Sequence, residues 1–388
     1  MRWFELPLPA KRYILYHTIV SPFLITWYML PLYMFMTGYD ILDVGAFFTF
    51  ISVTAVPLTY LIGKIFQKIA LRHGLVIIDL LSGLSNLSYS FAYGAFAPIA
   101  LFVGRFFEEI SFLFYPLYQA TERVLYPEDK MEEVFVWHMR LPIASQMVGF
   151  LVFGYLFGYV YVTPQDYRLA FFIFGFTSAF TVLYIVKFLP KLDFEERIEM
   201  KALKFKVDRE FQLILLLEAI LVLAWSMAPE IVLLNYILNV LGETLFEVML
   251  VEVFMSSASF LATFISERVE REKRFTVMAI SMLLITGWAA LMMFSPPLSV
   301  VLLAYFIGEF GNTLMFPFYR TWVFSKIPKD KASEILAALG SYRKIFGLAV
   351  PLIAGALASI TPTMPYTVSL SLYMASILLF LYAKRAFR

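Results

Sequence analysis

The sequence predicts an all-α polytopic membrane protein of about twelve transmembrane helices in two pseudo-symmetric six-helix bundles. Three observations predict it. Of 388 residues, 61% are hydrophobic and only 15% charged, where a soluble protein carries roughly 25% charged residues. Apolar runs of about 20 residues, enough to cross a hydrocarbon core of about 30 Å, recur from end to end. The second half of the chain also echoes the first. Helices are the expected spanning unit because each satisfies its own backbone hydrogen bonds in lipid; the short alternating segments of a β-barrel are missing from the sequence.

By hydropathy the first six spans run near 12–37, 44–66, 74–94, 97–119, 134–159 and 168–189. The second six run near 210–238, 244–266, 275–294, 298–319, 333–359 and 364–384. The expected organisation is an N-terminal bundle over 1–190, a linker over 191–209 and a C-terminal bundle over 210–388. The opening "MRWFELPLPAKRYILY" has basic residues but no small-residue cleavage site, so it reads as a cytoplasmic lead-in.

Charge sorts by loop. Arg2, Lys11 and Arg12 precede the first span, and Lys64, Lys68 and Arg72 lie around the junction of the second and third. "KFLPKLDFEERIEMKALKFKVDRE" supplies seven basic residues between the sixth and seventh, and "SERVEREKR" continues the series. The alternate loops, such as "TGYDILD", "NVLGETL" and "SPPLS", contain no Lys or Arg. The positive-inside rule then places both termini in the cytoplasm, with the chain multi-pass in the plasma membrane.

The repeat is specific. "FLFYPLYQATERVLYPEDKMEE" lies over "TLMFPFYRTWVFSKIPKDKASE" at a constant offset that puts Pro116 on Pro317, Tyr118 on Tyr319 and Pro127 on Pro328. The same offset puts Glu108 on Glu309 and His17 on Glu218. Parallel repeats of this kind are a known transporter plan.

With these residues in view the chain resembles the major facilitator superfamily over nearly its whole length. "LFVGRFF", with Gly104 and Arg105, is similar to that family's fourth-helix signature. "GKIFQKIALRHG" is similar to its loop between the second and third helices, with Gly63, Lys68 and Arg72 in place and Gln67 where the family has Asp. The second half keeps the acid–base pair as Glu267 and Arg268. The resemblance implies that this loop governs which conformation is stable, that helices one, four, seven and ten line the cavity, and that the protein is a monomer.

Those helices hold ionisable groups: His17 on the first; Arg105, Glu108 and Glu109 on the fourth; Glu218 and Glu230 on the seventh; Glu309 on the tenth. An ion at mid-bilayer costs roughly 2.5–3.5 kcal/mol on insertion scales, so these faces are expected to meet protein or water. Glu108 and Glu109 lie three and four residues beyond Arg105, within reach of its guanidinium. Tyr115 continues that stripe, and Glu309 heads a matching one with Asn312, which suggests a pathway between the halves. One arginine does not neutralise three acids. Desolvation disfavours the charged form of a surplus carboxylate, which would hold a proton when dry and release it when water or a cation arrives. Glu108 and Glu309 are therefore the expected proton and substrate site, with Arg105, Glu109 and Glu218. A closed ion-pair network that only locks helices together would explain Arg105, Glu108 and Glu109 without transport.

Further expectations are weaker in chemistry. His17 reads as an interfacial histidine or a proton relay, Glu218 as a site acid or its partner, and Glu230 as a gate or a solvated rim. Asp79 is expected to pair with Arg72 or Lys68. Among the 18% aromatic residues, Tyr115 and Trp225 are candidates to stack on an organic cation. Prolines within spans mark kinks.

The chain has no cysteine and three histidines, so no transition-metal site or cofactor is expected, although an all-oxygen cation site remains open. No phosphate loop, nucleophile elbow or His-Glu-x-x-His occurs, which argues against an enzyme, and no nucleic-acid partner is expected. The expected function is a secondary active transporter with partners in the bilayer, protons and a small organic solute. Acid-rich, aromatic-rich helices lean toward proton-coupled export of cationic or lipophilic compounds. The alternatives are a proton symporter for a neutral solute or organic anion, and a non-transporting receptor.

Overall fold

The computed structural model describes residues 3–66, 69–127, 131–191, 209–266, 268–325 and 347–386. Every regular element among them is helical. The first span is interrupted: α1, Leu8–Val20, passes through a 3-10 turn at Ser21–Ile25 into α2, Thr26–Met36. Then follow α3, Ile41–Phe66; α4, Leu71–Ser90; α5, Ala97–Leu113; α6, Pro116–Leu125; α7, Met131–Tyr155; and α8, Pro164–Phe188. The later series is α9, Arg209–Ser226; α10, Glu230–Asn235; α11, Leu245–Ser266; α12, Arg274–Met292; α13, Leu298–Ser325; α14, Val350–Ile360; and α15, Met364–Ala386.

Nine described stretches are long and apolar enough to cross a membrane. The expected third span, α4, is diluted by its serines and Asn86, and the fourth carries Arg105, Glu108 and Glu109. Of the expected eleventh span, residues 333–346 lie outside the described residues.

The repeat seen in the sequence reappears in the helix boundaries. The starts of α1 and α9 are 201 residues apart, and so are the starts of α5 and α13. The opening span of each series is broken, at Ser21–Ile25 in one and before Glu230 in the other. Proline has no N–H to donate and its ring crowds the preceding turn, and Pro22 and Pro229 sit at these breaks. Pro116 likewise separates α5 from α6, whereas Pro31, Pro57, Pro142 and Pro317 are carried inside helices. Three helix starts are fixed by side-chain caps, that of α3 by Asp40 and Asp43, each accepting from the other's backbone N–H at 2.8 and 3.1 Å. Thr163 and Asp166 cap α8, and Glu247 accepts from Thr244 N and Oγ1 at 2.9 and 2.6 Å at the start of α11.

The chain divides into two compact units, residues 1–38 with 50–199, and residues 39–49 with 200–388. In the first, α4 packs against α8 and α5. Gly83 and Gly175 make the α4–α8 approach possible: a Cβ on either would lie 3.1 Å from the other's carbonyl oxygen. Tyr13, Ile14, Leu75, Ile78, Leu117 and Ile185 belong to one buried apolar cluster. In the second unit, α12 packs against α13 and α15. Trp288 is buried there between Tyr305 and Tyr366, whose hydroxyls meet at 2.9 Å. Ser369 ties α15 to α9 through the Ala224 carbonyl at 2.7 Å.

Candidate functional site

The first unit brings Arg105, Glu108 and Glu109 into one network on α5. Arg105 Nη1 lies 2.8 Å from Glu108 Oε2, and Nη2 lies 2.7 Å from Glu109 Oε1. The three side chains are about one-seventh exposed. Tyr89 of α4 donates to Glu108 at 2.9 Å, Ser52 of α3 donates to Glu109 at 3.2 Å, and the guanidinium carbon sits 5.5 Å from the centre of the Phe112 ring. With both acids ionised the trio carries one surplus negative charge, spread over two carboxylates held by neutral donors. Gly104 is what admits Tyr89: a Cβ there would lie 2.4 Å from the tyrosine ring.

The second unit treats its acid differently. Glu309 Oε1 accepts from Ser259 at 2.6 Å and from Thr313 at 2.9 Å, and Oε2 accepts from Asn312 at 3.3 Å. Ser259 comes from α11, while Asn312 and Thr313 lie one turn along α13 from Glu309. Every hydrogen-bond partner of Glu309 among the described residues is a hydroxyl or an amide. Such donors stabilise a carboxylate without neutralising it, and the hydroxyls can also serve a protonated acid as acceptors.

The remaining predicted residues separate. Glu218 is buried on α9. Trp225 packs on Trp288 with ring centroids 5.8 Å apart. Glu230 is exposed in the first turn of α10, where the helix dipole favours an acid. Tyr115 sits at the break between α5 and α6, against Phe112 and Tyr118 at 5.1 and 5.3 Å. Gly63 lies within α3. Gln67, Lys68 and Glu267 of the loop motifs lie outside the described residues, and Arg268 N bonds to Ile265 O just beyond α11.

His17 is embedded in an aromatic cluster, with centroids 4.6, 4.9 and 5.0 Å from Tyr13, Tyr16 and Tyr118 and 4.8 Å from His138. Of the two partners expected for Asp79, Lys68 lies outside the described residues and Arg72 is corrected: Asp79 Oδ1 accepts from Tyr16 at 2.7 Å, while Arg72 reaches the Val186 and Leu189 carbonyls at 3.4 Å. An ion pair between residues about two turns apart on α4 gave way to a helix-end contact, because Arg72 lies where the last carbonyls of α8 need donors.

Sequence reasoning missed Tyr89, Ser52, Ser259, His138 and Glu122. His138 Nδ1 meets the Tyr126 hydroxyl, and Nε2 lies 3.7 Å from Glu122. Glu122 stands one turn beyond the expected fourth span, and burial pushes its carboxyl up to about 7. The only available signal for these residues was a polar side chain in an apolar helix.

A family model described as Major Facilitator Superfamily matches residues 13–351. Among solved structures the chain is similar to one described as a bacterial metal transporter, at 12% identity and a TM-score of 0.71, covering 98% of this chain and 99% of that one. It is also similar to a bacterial homologue of the iron transporter ferroportin in an inward-facing state, at 13% identity and 0.70, covering 99% of each chain. A POT family transporter in complex with a thioalcohol-conjugated peptide gives 14% identity and 0.70 over 97% of each chain. No curated protein matches the sequence. At such identities the structural likeness shows the fold alone.

Proposed function

The chain belongs to the Major Facilitator Superfamily, and from that premise we propose that it is a secondary active transporter exporting a cationic or lipophilic organic solute in exchange for protons. Membrane embedding and a transporter fold follow from the family. The proton coupling, the direction and the solute class are the proposal. In it, the six-span halves 1–190 and 210–388 alternate access from a plasma membrane with both termini cytoplasmic.

One observation carries the reading: Glu309 lies on an apolar helix among neutral hydrogen-bond donors, with Ser259, Asn312 and Thr313 around its carboxylate. A cationic solute arriving there would favour the ionised form and expel the proton, and departure of the solute would restore it. That competition is the physical content of antiport. Glu108 and Glu109 contribute the second negative region, with Arg105 setting how much of it is available. Glu218 is a further acid of the site, and Tyr115, Trp225, His17, Asn312 and Glu230 line the route.

The test is flux in liposomes. Purified protein is first screened for stabilising ligands by thermal shift, using tetraphenylphosphonium as a probe cation. It is then reconstituted and energised with a pH gradient. The reading expects gradient-driven movement of the probe that falls to the passive leak in Glu309→Gln. Flux by Glu309→Gln equal to that of the wild type would overturn the site. Anion uptake abolished by Arg105→Ala would favour the symporter instead.

A further inference from the structure

A cavity of roughly 80 Å³ lies inside the first unit, between α2, α4, α5 and α8. Among the residues that line it are Asp79, Asn86, Ser111, Thr177, Ser178 and Thr181. A buried water needs about 10–15 Å³, so the space accommodates a small ion together with water.

Its chemistry is unusual in one respect. Four hydroxyl protons of the lining are directed into protein carbonyls: Thr181, which also lies beside Asp79, to Ser178 O at 2.9 Å, Thr177 and Ser178 to Phe174 O at 2.7 and 3.4 Å, and Ser111 to Ile78 O at 3.3 Å. Asn86 turns its amide nitrogen to Ser82 O at 3.1 Å. The oxygens are left as acceptors. Asp79 and Asn86 are 5% and 7% exposed, and Asp79 Oδ2 and Asn86 Oδ1 have no hydrogen-bond partner among the described residues. The other carboxylate oxygen of Asp79 is already held by Tyr16 at 2.7 Å. The lining also carries the donors Trp27, Tyr115 and Tyr118, yet these two buried oxygens are left unmatched, a costly arrangement unless a cation or its water satisfies them.

From this we infer that the cavity is a sodium site. The donor set is all oxygen, which suits hard cations rather than transition metals. It supplies one full negative charge, from Asp79, and neutral hydroxyl and amide oxygens for the rest. A monovalent ion is balanced by that charge. A calcium ion, which takes six to eight oxygens and commonly several carboxylates, would leave a buried excess positive charge. The site is independent of the proton cycle assigned to Glu309, and it gives the first unit an ion of its own that stabilises the packing of α2, α4 and α8.

The experiment uses the full-length protein in detergent. Equilibrium binding of radioactive sodium is measured against competing potassium, calcium and choline chloride, together with thermal unfolding in sodium or choline chloride at equal ionic strength. The inference expects about one saturable sodium ion per chain, a higher unfolding temperature in sodium than in choline, and competition by calcium weaker than by sodium itself. Asp79→Asn should lose saturable binding. Asn86→Leu, which keeps the charge, should weaken it roughly tenfold, as loss of one ion–oxygen contact would. Equal unfolding temperatures with no saturable sodium overturn the inference, as does calcium displacing sodium at lower concentration. Sodium binding that survives in folded Asp79→Asn overturns it too. Glu309→Gln is expected to keep the sodium site, so loss of proton coupling with sodium binding intact separates failure of one reading from failure of the other.

Discussion

Glu108 and Glu309 occupy equivalent places in the two halves, 201 residues apart, yet they are held by opposite means. On α5, Arg105 reaches both Glu108 and Glu109 within 2.8 Å. On α13, Glu309 is held by Ser259, Asn312 and Thr313. In the first arrangement the acids face a fixed positive charge, a guanidinium shared between two carboxylates. The second leaves charge adjustable, because hydroxyls and an amide accommodate a carboxylate and a carboxylic acid alike. The two helices thus share the position of an acid and differ in what surrounds it.

The largest expected effect tests that division of labour directly. Glu309→Gln should reduce proton-coupled probe flux in liposomes to the leak, whereas Glu109→Gln, which leaves Arg105 paired with Glu108, should retain measurable coupling. Equal loss in both variants would erase the distinction between the two halves. Next comes Arg105→Ala. Removing one partner of a buried ion pair costs about 3–5 kcal/mol, so thermal unfolding in detergent should shift markedly downward. Adding Glu109→Gln to that background should recover part of the loss, and a double variant no more stable than the single one would mean the network is not electrostatic.

Gly104→Ala should be smaller, about 1–3 kcal/mol of overpacking, because the new methyl meets the Tyr89 ring. It should be accompanied by weaker coupling if the Tyr89–Glu108 bond matters, and Tyr89→Phe separates lost packing from lost hydrogen bond.

The smallest effect is in pH. Burial raises Glu122 from the usual 4.5 to about 7, so the folded protein binds a proton that the unfolded chain releases across that window. Its contribution to stability is complete below pH 4.5 and is lost as the pH rises through 7. Unfolding temperatures taken between pH 5 and 8 should decline less in Glu122→Gln than in the wild type. An identical slope would assign the dependence to other groups.

Much of the fold was legible in the sequence because its causes are local or periodic. Apolar run length sets the spans, and the Pro116–Pro317 register announces the repeat that the helix starts at Leu8 and Arg209 repeat in three dimensions. The Arg105 trio was legible too, since spacings of three and four on one helix specify a contact. The partners from other helices were not. Tyr89 and Ser259 reach their acids through helix packing, and no periodicity along one helix reveals which hydroxyl of a neighbour will face it. Gly104 was visible as a motif residue, but its reason, room for an aromatic ring, requires the neighbour to be in place. Asp79 misled for the same cause: Arg72 is near in sequence, while Tyr16 is near in space.

Probe-induced proton release measures the central claim most directly. Tetraphenylphosphonium is added to weakly buffered, purified protein in detergent, and the protons liberated per chain are counted for the wild type and for Glu309→Gln. The expected result is release of about one proton per bound cation by the wild type and none by the variant, with Glu109→Gln still releasing. Undiminished release by Glu309→Gln would contradict the claim that this hydroxyl-bound acid, rather than the arginine-bound pair, carries the exchangeable proton.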